Sequence, residues 1–136
     1  MNHQQLYTEI GRLFYAVANA DGEIKSKEII SIRDLLNKDF VPFEEQSDQN
    51  TINCALYAEY EFESLMEIEA DGEMAFFSFL YFFSKNQRDI DEQLKESILK
   101  SVEELADSFH GKNRFELFYL DKLKQVFELP ISHSLP

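Results

Sequence analysis

The stretch Ala18-Asn19-Ala20-Asp21-Gly22-Glu23-Ile24-Lys25-Ser26-Lys27-Glu28 separates two amphipathic runs near the start of the chain. On its N-terminal side, apolar residues at helical spacing predict a helix over residues 4–19. Asp21-Gly22 ends this helix, because Gly adopts backbone angles that other residues resist. A second helix is predicted over residues 26–37, before Pro42 stops any continuation. The stretch therefore predicts a helical hairpin over residues 4–37. The apolar stripe of its first helix consists of Leu6, Ile10, Leu13, Phe14 and Val17.

The same stretch contains candidate metal ligands. Its pattern Asp-Gly-acid-Ile-x-x-x-Glu resembles the second half of an EF-hand calcium loop, in which the last Glu is a bidentate ligand. The first half is missing, because the position of its opening acid is occupied by Val17. Asp21, Glu23 and Glu28 would offer only oxygen ligands, which favours Ca²⁺ or Mg²⁺ over zinc. The alternative is structural, with the carboxylates stabilising the turn and the start of the second helix.

The sequence pattern predicts helices in the rest of the chain as well. Helices are predicted over residues 51–61, 73–84, 89–108 and 114–127, with Gly11 allowing close helix packing in the first helix. The alternating residues 59–63 are interpreted as a helix end or loop rather than a strand. Residues 74–83 are apolar nearly all round, which predicts a helix at the centre of a bundle or, alternatively, the seam of a dimer. At the start of the helix over residues 89–108, Asp89 and Glu92 predict a capping box.

An internal repeat organises these helices. The hairpin over residues 4–37 matches a second hairpin over residues 90–127, which turns at His110-Gly111. We therefore predict one all-α domain over residues 1–136, a compact bundle of about six helices. Its two related hairpins would pack around the central apolar helix of an acidic middle segment, residues 44–84, and residues 130–136 would form a tail.

The stretch that ends the first helix also resembles a known family. A helix ending in Ala-x-Ala-Asp-Gly-Glu-Ile, followed by Ser-x-Glu at the start of the next helix, is similar to the TerB-like tellurite-resistance family. The resemblance implies a duplicated helical hairpin, a cytoplasmic bacterial protein and metal binding through acidic turns. The second hairpin departs from the family pattern, because His110 and Lys112 stand where acids are usual. A paired, symmetric metal site is therefore not expected.

Charge points to the class of partner. Residues 39–84 contain eleven acids and no Lys or Arg, so they carry −11 of the net charge of −13. This charge repels nucleic acid and attracts divalent cations or a basic protein, although it could equally be a solvated acidic face. The aromatic residues Tyr57, Tyr60 and Phe62 lie among these acids, where they could anchor an interface or pack in the core. The predicted partner-binding acids are Glu59, Glu61, Glu63, Glu67 and Glu69.

Catalysis has little support in the sequence. The chain has a lone Cys54, three scattered His residues and four isolated Gly, which excludes a Gly-rich phosphate loop. No catalytic residue is predicted. Residues 1–5 lack the features of a signal peptide and no run is long enough to span a membrane, so we expect a cytoplasmic protein.

The sequence thus predicts a non-enzymatic TerB-like module of a stress or tellurite-resistance type system. It would engage a protein partner, and a divalent cation could take part. One alternative is a calcium- or magnesium-responsive regulator that uses the turn from Asp21 to Glu28. A further alternative is a metal-assisted hydrolase.

Overall fold

A computed structural model describes residues 1–20, 34–35, 51–110 and 114–128 of the chain, without the side chains of 51–54, 108–110 and 114–116. Within these ranges the chain is all-α and contains no strand. The all-helical class is therefore confirmed for this part of the chain. Its elements are α1 (His3–Ala18), α2 (Thr51–Glu67), α3 (Gly72–Lys85), a 3-10 turn (Gln87–Asp89), α4 (Glu92–His110) and α5 (Arg114–Glu128).

The first predicted hairpin is described only in part. Its first helix is confirmed as α1, which begins where the Asn2 side chain accepts a hydrogen bond from the Gln5 backbone N–H at 3.1 Å. Of the second predicted helix, only Asp34 and Leu35 belong to the described residues, and both are helical. The pairing of these two helices therefore stays a prediction.

Helix α1 occupies the centre of the described bundle. It packs against α2, α3, α4 and α5. The whole of its predicted apolar stripe is buried, and Tyr7, Tyr15 and Ala16 on its other sides are buried as well. A helix that is buried nearly all round lies inside a bundle. Gly11 allows the closest of these contacts, because a Cβ atom there would overlap the backbone of Ala58 in α2.

The apolar helix predicted at the centre, now α3, lies instead at the surface of the described bundle. One face packs against α1, whereas Met74, Phe77 and Tyr81 on the other face are exposed. The prediction of a central position was therefore wrong. An apolar run shows that a helix has much surface to bury, but the number of neighbours around it decides how much is buried. The buried residues of α3 are Ala75, Phe76, Phe79, Phe82 and Phe83.

Helix α2 is longer than predicted. It continues to Glu67, so residues 59–63 lie in its middle. The interpretation of these residues as a helix end or loop was wrong. The alternation of acids with aromatic residues did not stop the helix, because Glu is a good helix former and the packing of α2 against α1 supplies the remaining stability.

Helices α4 and α5 pack against each other in antiparallel order. Lys95 near the start of α4 donates to the carbonyl of Phe127 near the end of α5, at 3.3 Å. The cap of α4 differs from the predicted one. Asp91 accepts a hydrogen bond from the Leu94 backbone N–H at 2.9 Å, whereas Asp89 lies in the 3-10 turn, with its carboxylate 3.4 Å from the chain's amino terminus.

The buried apolar side chains of all five helices form one cluster. Aromatic rings join its outer parts, with the centroids of Phe76 and Tyr119 4.6 Å apart and those of Phe83 and Phe127 4.9 Å apart. In α5, Leu120 and Leu123 face the core and are buried, whereas Leu117 near the start of the helix is exposed. None of the described helices is long and apolar enough to cross a membrane.

Candidate partner-binding site

The acids predicted to bind a partner do not share one surface. Glu59 is buried, and Glu61 forms an ion pair with Arg12 of α1. Glu63 is half-buried, whereas Glu67 and Glu69 are exposed. Helix α2 thus turns some of its acids toward the bundle and others toward solvent, because neighbouring positions of a helix point in different directions.

The inward-facing acid Glu61 belongs to a polar cluster that joins three helices. Arg12 donates from Nε to Glu61 at 2.7 Å and from Nη1 to Glu9 at 2.8 Å. The same Nη1 donates to the hydroxyl oxygen of Ser78 in α3, at 2.8 Å. Ser78 in turn donates to Oε1 of Glu9 at 2.9 Å. Each polar side chain of this cluster therefore has a partner, as burial requires.

The electrostatics of this cluster keep Arg12 charged. Burial raises the pKa of Glu9. The hydrogen bond from Ser78 and the charge of Arg12 lower this pKa, but burial outweighs them and the pKa stays above its usual value. Burial would lower the pKa of Arg12, but the hydrogen bonds and charges of Glu61 and Glu9 outweigh it. Because the Ser78 hydroxyl hydrogen is directed at a carboxylate and its oxygen accepts from Arg12, this arrangement holds helices together rather than activating a nucleophile.

The outward face of α2 carries an aromatic residue among acids. Tyr60 is 58% exposed, and Glu63 and Glu67 follow it on the same face, at one and two helical turns. Of the other two aromatic candidates, Phe62 is only 1% exposed and belongs to the core, and Tyr57 is half-buried. A Tyr that keeps most of its ring in solvent beside carboxylates is a suitable interface anchor.

A hydrogen bond from α1 holds the turn that follows α2. The Tyr15 hydroxyl of α1 donates to the Ala70 carbonyl at 2.7 Å, and Glu69 has a left-handed backbone with φ of 52°. Burial raises the pKa of Tyr15, and the negative charges of Glu69 and Asp71 raise it further. Tyr15 therefore keeps the proton with which it holds the turn.

The turn ends in a helix cap. Asp71 precedes α3, and its side chain accepts a hydrogen bond from the Glu73 backbone N–H at 2.9 Å. Residues 70–73 repeat the Ala-Asp-Gly-Glu sequence of residues 20–23. In the described copy, this sequence acts as the start of a helix. That use agrees with the structural alternative for Asp21, which itself lies outside the described residues.

The other predicted metal ligands, Glu23 and Glu28, also lie outside the described residues, so metal binding there stays a prediction. Elsewhere in the described part of the chain, no three His, Cys, Asp or Glu side chains lie close enough together to hold a metal ion. The side chains of Cys54 and His110 are not among those that the structure describes.

Comparison of the chain with protein-family models, curated proteins and solved structures found no match. The TerB-like resemblance therefore rests on the residues that carry it. The sequence reasoning missed the cluster of Glu9, Arg12 and Ser78. A signal for it was present, since Glu9 and Arg12 carry opposite charges three residues apart on one side of a predicted helix.

Proposed function

We propose that this chain is a non-enzymatic, TerB-like helical module of a stress or tellurite-resistance type system. In this proposal it binds a basic segment of a partner protein through the outward face of α2, defined by Tyr60, Glu63, Ser64 and Glu67. The observation that carries the proposal is the exposure of the Tyr60 ring beside the outward acids Glu63 and Glu67, in the most acidic segment of the chain.

The chemistry of this face selects a basic partner. Tyr supplies a large, amphipathic contact surface with few rotatable bonds, and its ring face attracts cations. The carboxylates of Glu63 and Glu67 add ion pairs and steer a basic segment toward the face. Because residues 39–84 contain no Lys or Arg, no basic residue of this segment competes for these carboxylates.

The anchoring of α2 supports the same proposal. Arg12 holds Glu61 from the inner side, and Tyr15 holds the turn after the helix. The outward face is thus presented by a helix fixed at two places, which reduces the entropy that binding must remove. We also propose that the chain contains the two related helical hairpins that the TerB-like resemblance implies. The antiparallel packing of α4 and α5 supports the second of them. It also includes a divalent cation at the Asp21 turn.

Capture from cell extract with the immobilised chain tests the proposal. The test variant is Glu63→Lys/Glu67→Lys. The control Glu96→Lys/Asp121→Lys makes the same change in net charge at exposed positions of α4 and α5. We expect a protein identified by mass spectrometry that wild type and control capture equally and the test variant captures at least about tenfold less.

The captured protein is then purified, and its affinity for the three forms of the chain and for Tyr60→Ser is measured by titration calorimetry. Loss of affinity in Tyr60→Ser would show that the ring itself takes part. Equal affinity of wild type and Glu63→Lys/Glu67→Lys would remove the outward face of α2 as the binding surface. Equal loss in both double variants would mean that only net charge matters, which also contradicts the proposal.

A further inference from the structure

The exposed face of α3 carries a stripe of large apolar side chains. Met74, Phe77 and Tyr81 lie at positions i, i+3 and i+7, so they share one side of the helix. Their exposed fractions are 67%, 55% and 66%. For side chains that each present roughly 150–250 Å², this leaves roughly 300–400 Å² of apolar surface in one patch. Patches of this size on soluble proteins are often binding sites.

The two ends of this stripe carry opposite charges. Asp71 and Glu73 are exposed at the N-terminal end of α3, and Lys85 and Arg88 are exposed at and just beyond its C-terminal end. Lys85 extends back over the stripe, with its Nζ 5.4 Å from the centre of the Tyr81 ring. The charges at both ends also follow the helix dipole, which favours acids at the start and bases at the end.

We propose that the occupant of this stripe is a second copy of the chain, with the two α3 helices packed antiparallel about a two-fold axis near Phe77. In this arrangement the Met74 end of one stripe meets the Tyr81 end of the other. The acidic end of each helix lies beside the basic end of its partner. A surface with an apolar middle and opposite charges at its ends is complementary to itself only in this orientation.

The area of the stripe sets the strength of the pairing. Two stripes bury roughly 600–800 Å² of apolar side-chain surface together, below the roughly 1,200–2,000 Å² of a standard stable interface. The net charge of −13 on each copy also opposes association, although salt at about 0.15 M screens it beyond about 8 Å. The dimer is therefore weak and reversible, and it forms as the protein concentration rises.

The pairing is distinct from the proposed partner binding. It uses the exposed face of α3, whereas the partner-binding face lies on α2 and centres on Tyr60. A substitution at Phe77 therefore affects self-association alone, and a substitution at Tyr60 affects partner binding alone. Failure of one proposal leaves the other standing.

Analytical ultracentrifugation of the full chain at 0.15 M NaCl, from about 5 to 500 µM, tests the pairing. We expect the wild type to shift from monomer to dimer over this range. Phe77→Lys should stay monomeric throughout, while Tyr60→Lys, with an equal charge change at an exposed ring on α2, should behave like the wild type. Circular dichroism of each variant checks that the helices remain formed.

Charge substitutions test the antiparallel orientation. Glu73→Lys places a positive charge opposite Lys85 of the second copy, so we expect at least a threefold weaker dimer, although the variant has lower net charge. The double variant Glu73→Lys/Lys85→Glu restores opposite charges and the original net charge, and it should recover the wild-type association.

Three results would overturn the proposal. A wild-type chain that stays monomeric at 500 µM has no such pairing. A dimer that Phe77→Lys leaves intact uses another surface. A dimer that Glu73→Lys strengthens responds to net charge rather than to antiparallel end contacts. Binding of a cationic amphipathic peptide to the α3 stripe of a monomeric chain would assign the stripe to a basic partner instead.

Discussion

Replacing Gly11 with alanine adds one methyl group where α1 and α2 cross. The new Cβ would overlap the carbonyl oxygen of Ala58 and lie 3.0 Å from its Cα and 3.1 Å from its carbonyl carbon. These are backbone atoms within α2, so no side-chain rotation can make room. The two helices must move apart, and contacts along their shared face weaken.

The expected cost follows from two opposing effects. Alanine is favoured over glycine inside a helix by about 1 kcal/mol. Overpacking a well-filled interior costs about 1–3 kcal/mol, and the upper end applies here because the clash is with backbone of the central helix pair. We therefore expect Gly11→Ala to lower the free energy of unfolding by about 2 kcal/mol, or the melting temperature by roughly 6–10 °C.

Urea unfolding followed by circular dichroism measures this effect, and Gly72→Ala is the matched control. Gly72 begins α3, and a Cβ there would lie 3.4 Å from the Asn19 side-chain nitrogen and 3.8 Å from the Ala16 Cα. These are ordinary contact distances, so the control should change stability by less than about 0.5 kcal/mol or increase it. A Gly11→Ala protein as stable as the wild type would refute the close crossing of α1 and α2.

Three further predictions concern the polar cluster and the predicted metal turn. Arg12→Met removes the charged partner of the buried Glu9 carboxylate, so we expect the free energy of unfolding in urea to fall by about 2–3 kcal/mol. The loss is smaller than for a fully buried pair, because Arg12 is partly exposed. A loss below about 0.5 kcal/mol would contradict this. Glu9→Gln keeps an acceptor oxygen and should cost less. Because burial raises the pKa of Glu9 above 4.5, its contribution to stability is present below pH 4.5 and is lost as pH rises through the raised pKa. The stability difference between wild type and Glu9→Gln should therefore fall from pH 4 to 7, and a difference that rises would contradict the raised pKa. If a metal binds at the Asp21 turn, an amide-resolved NMR titration with Ca²⁺ and then Mg²⁺ should give saturable chemical-shift changes centred on residues 21–28. Weak, non-saturating changes over residues 44–73 would contradict a metal site there.

Much of the helical pattern was predictable because its signals are local. The apolar spacing in α1 placed that helix within a residue of its observed ends, and the predicted starts of α3 and α5 agree equally well with the structure. Gly11 was also correctly associated with close packing. The cap of α4 was misplaced, because Asp89 and Asp91 are both acceptable capping residues and only the backbone path distinguishes them.

The candidate site was predictable by segment but not by residue. The acidic segment of α2 was identified from its charge, and Tyr60 was among the aromatic residues named for an interface. The sequence could not separate Glu59 and Glu61 from Glu63, because all three are acids within one run of helix. Their roles depend on where α1 lies beside α2 and on the position of Arg12, which donates to Glu61.

The sequence by itself determined the helical class, most of the helix bounds and the acidic middle segment, because periodicity, capping and charge are properties of neighbouring residues. Within the part of the chain that the structure describes, the tertiary structure alone decided that α1 rather than α3 is the central helix. It also decided that the α3 stripe of Met74, Phe77 and Tyr81 faces solvent. Apolar residues favour burial wherever they occur, but the arrangement of the surrounding helices determines which of them are covered.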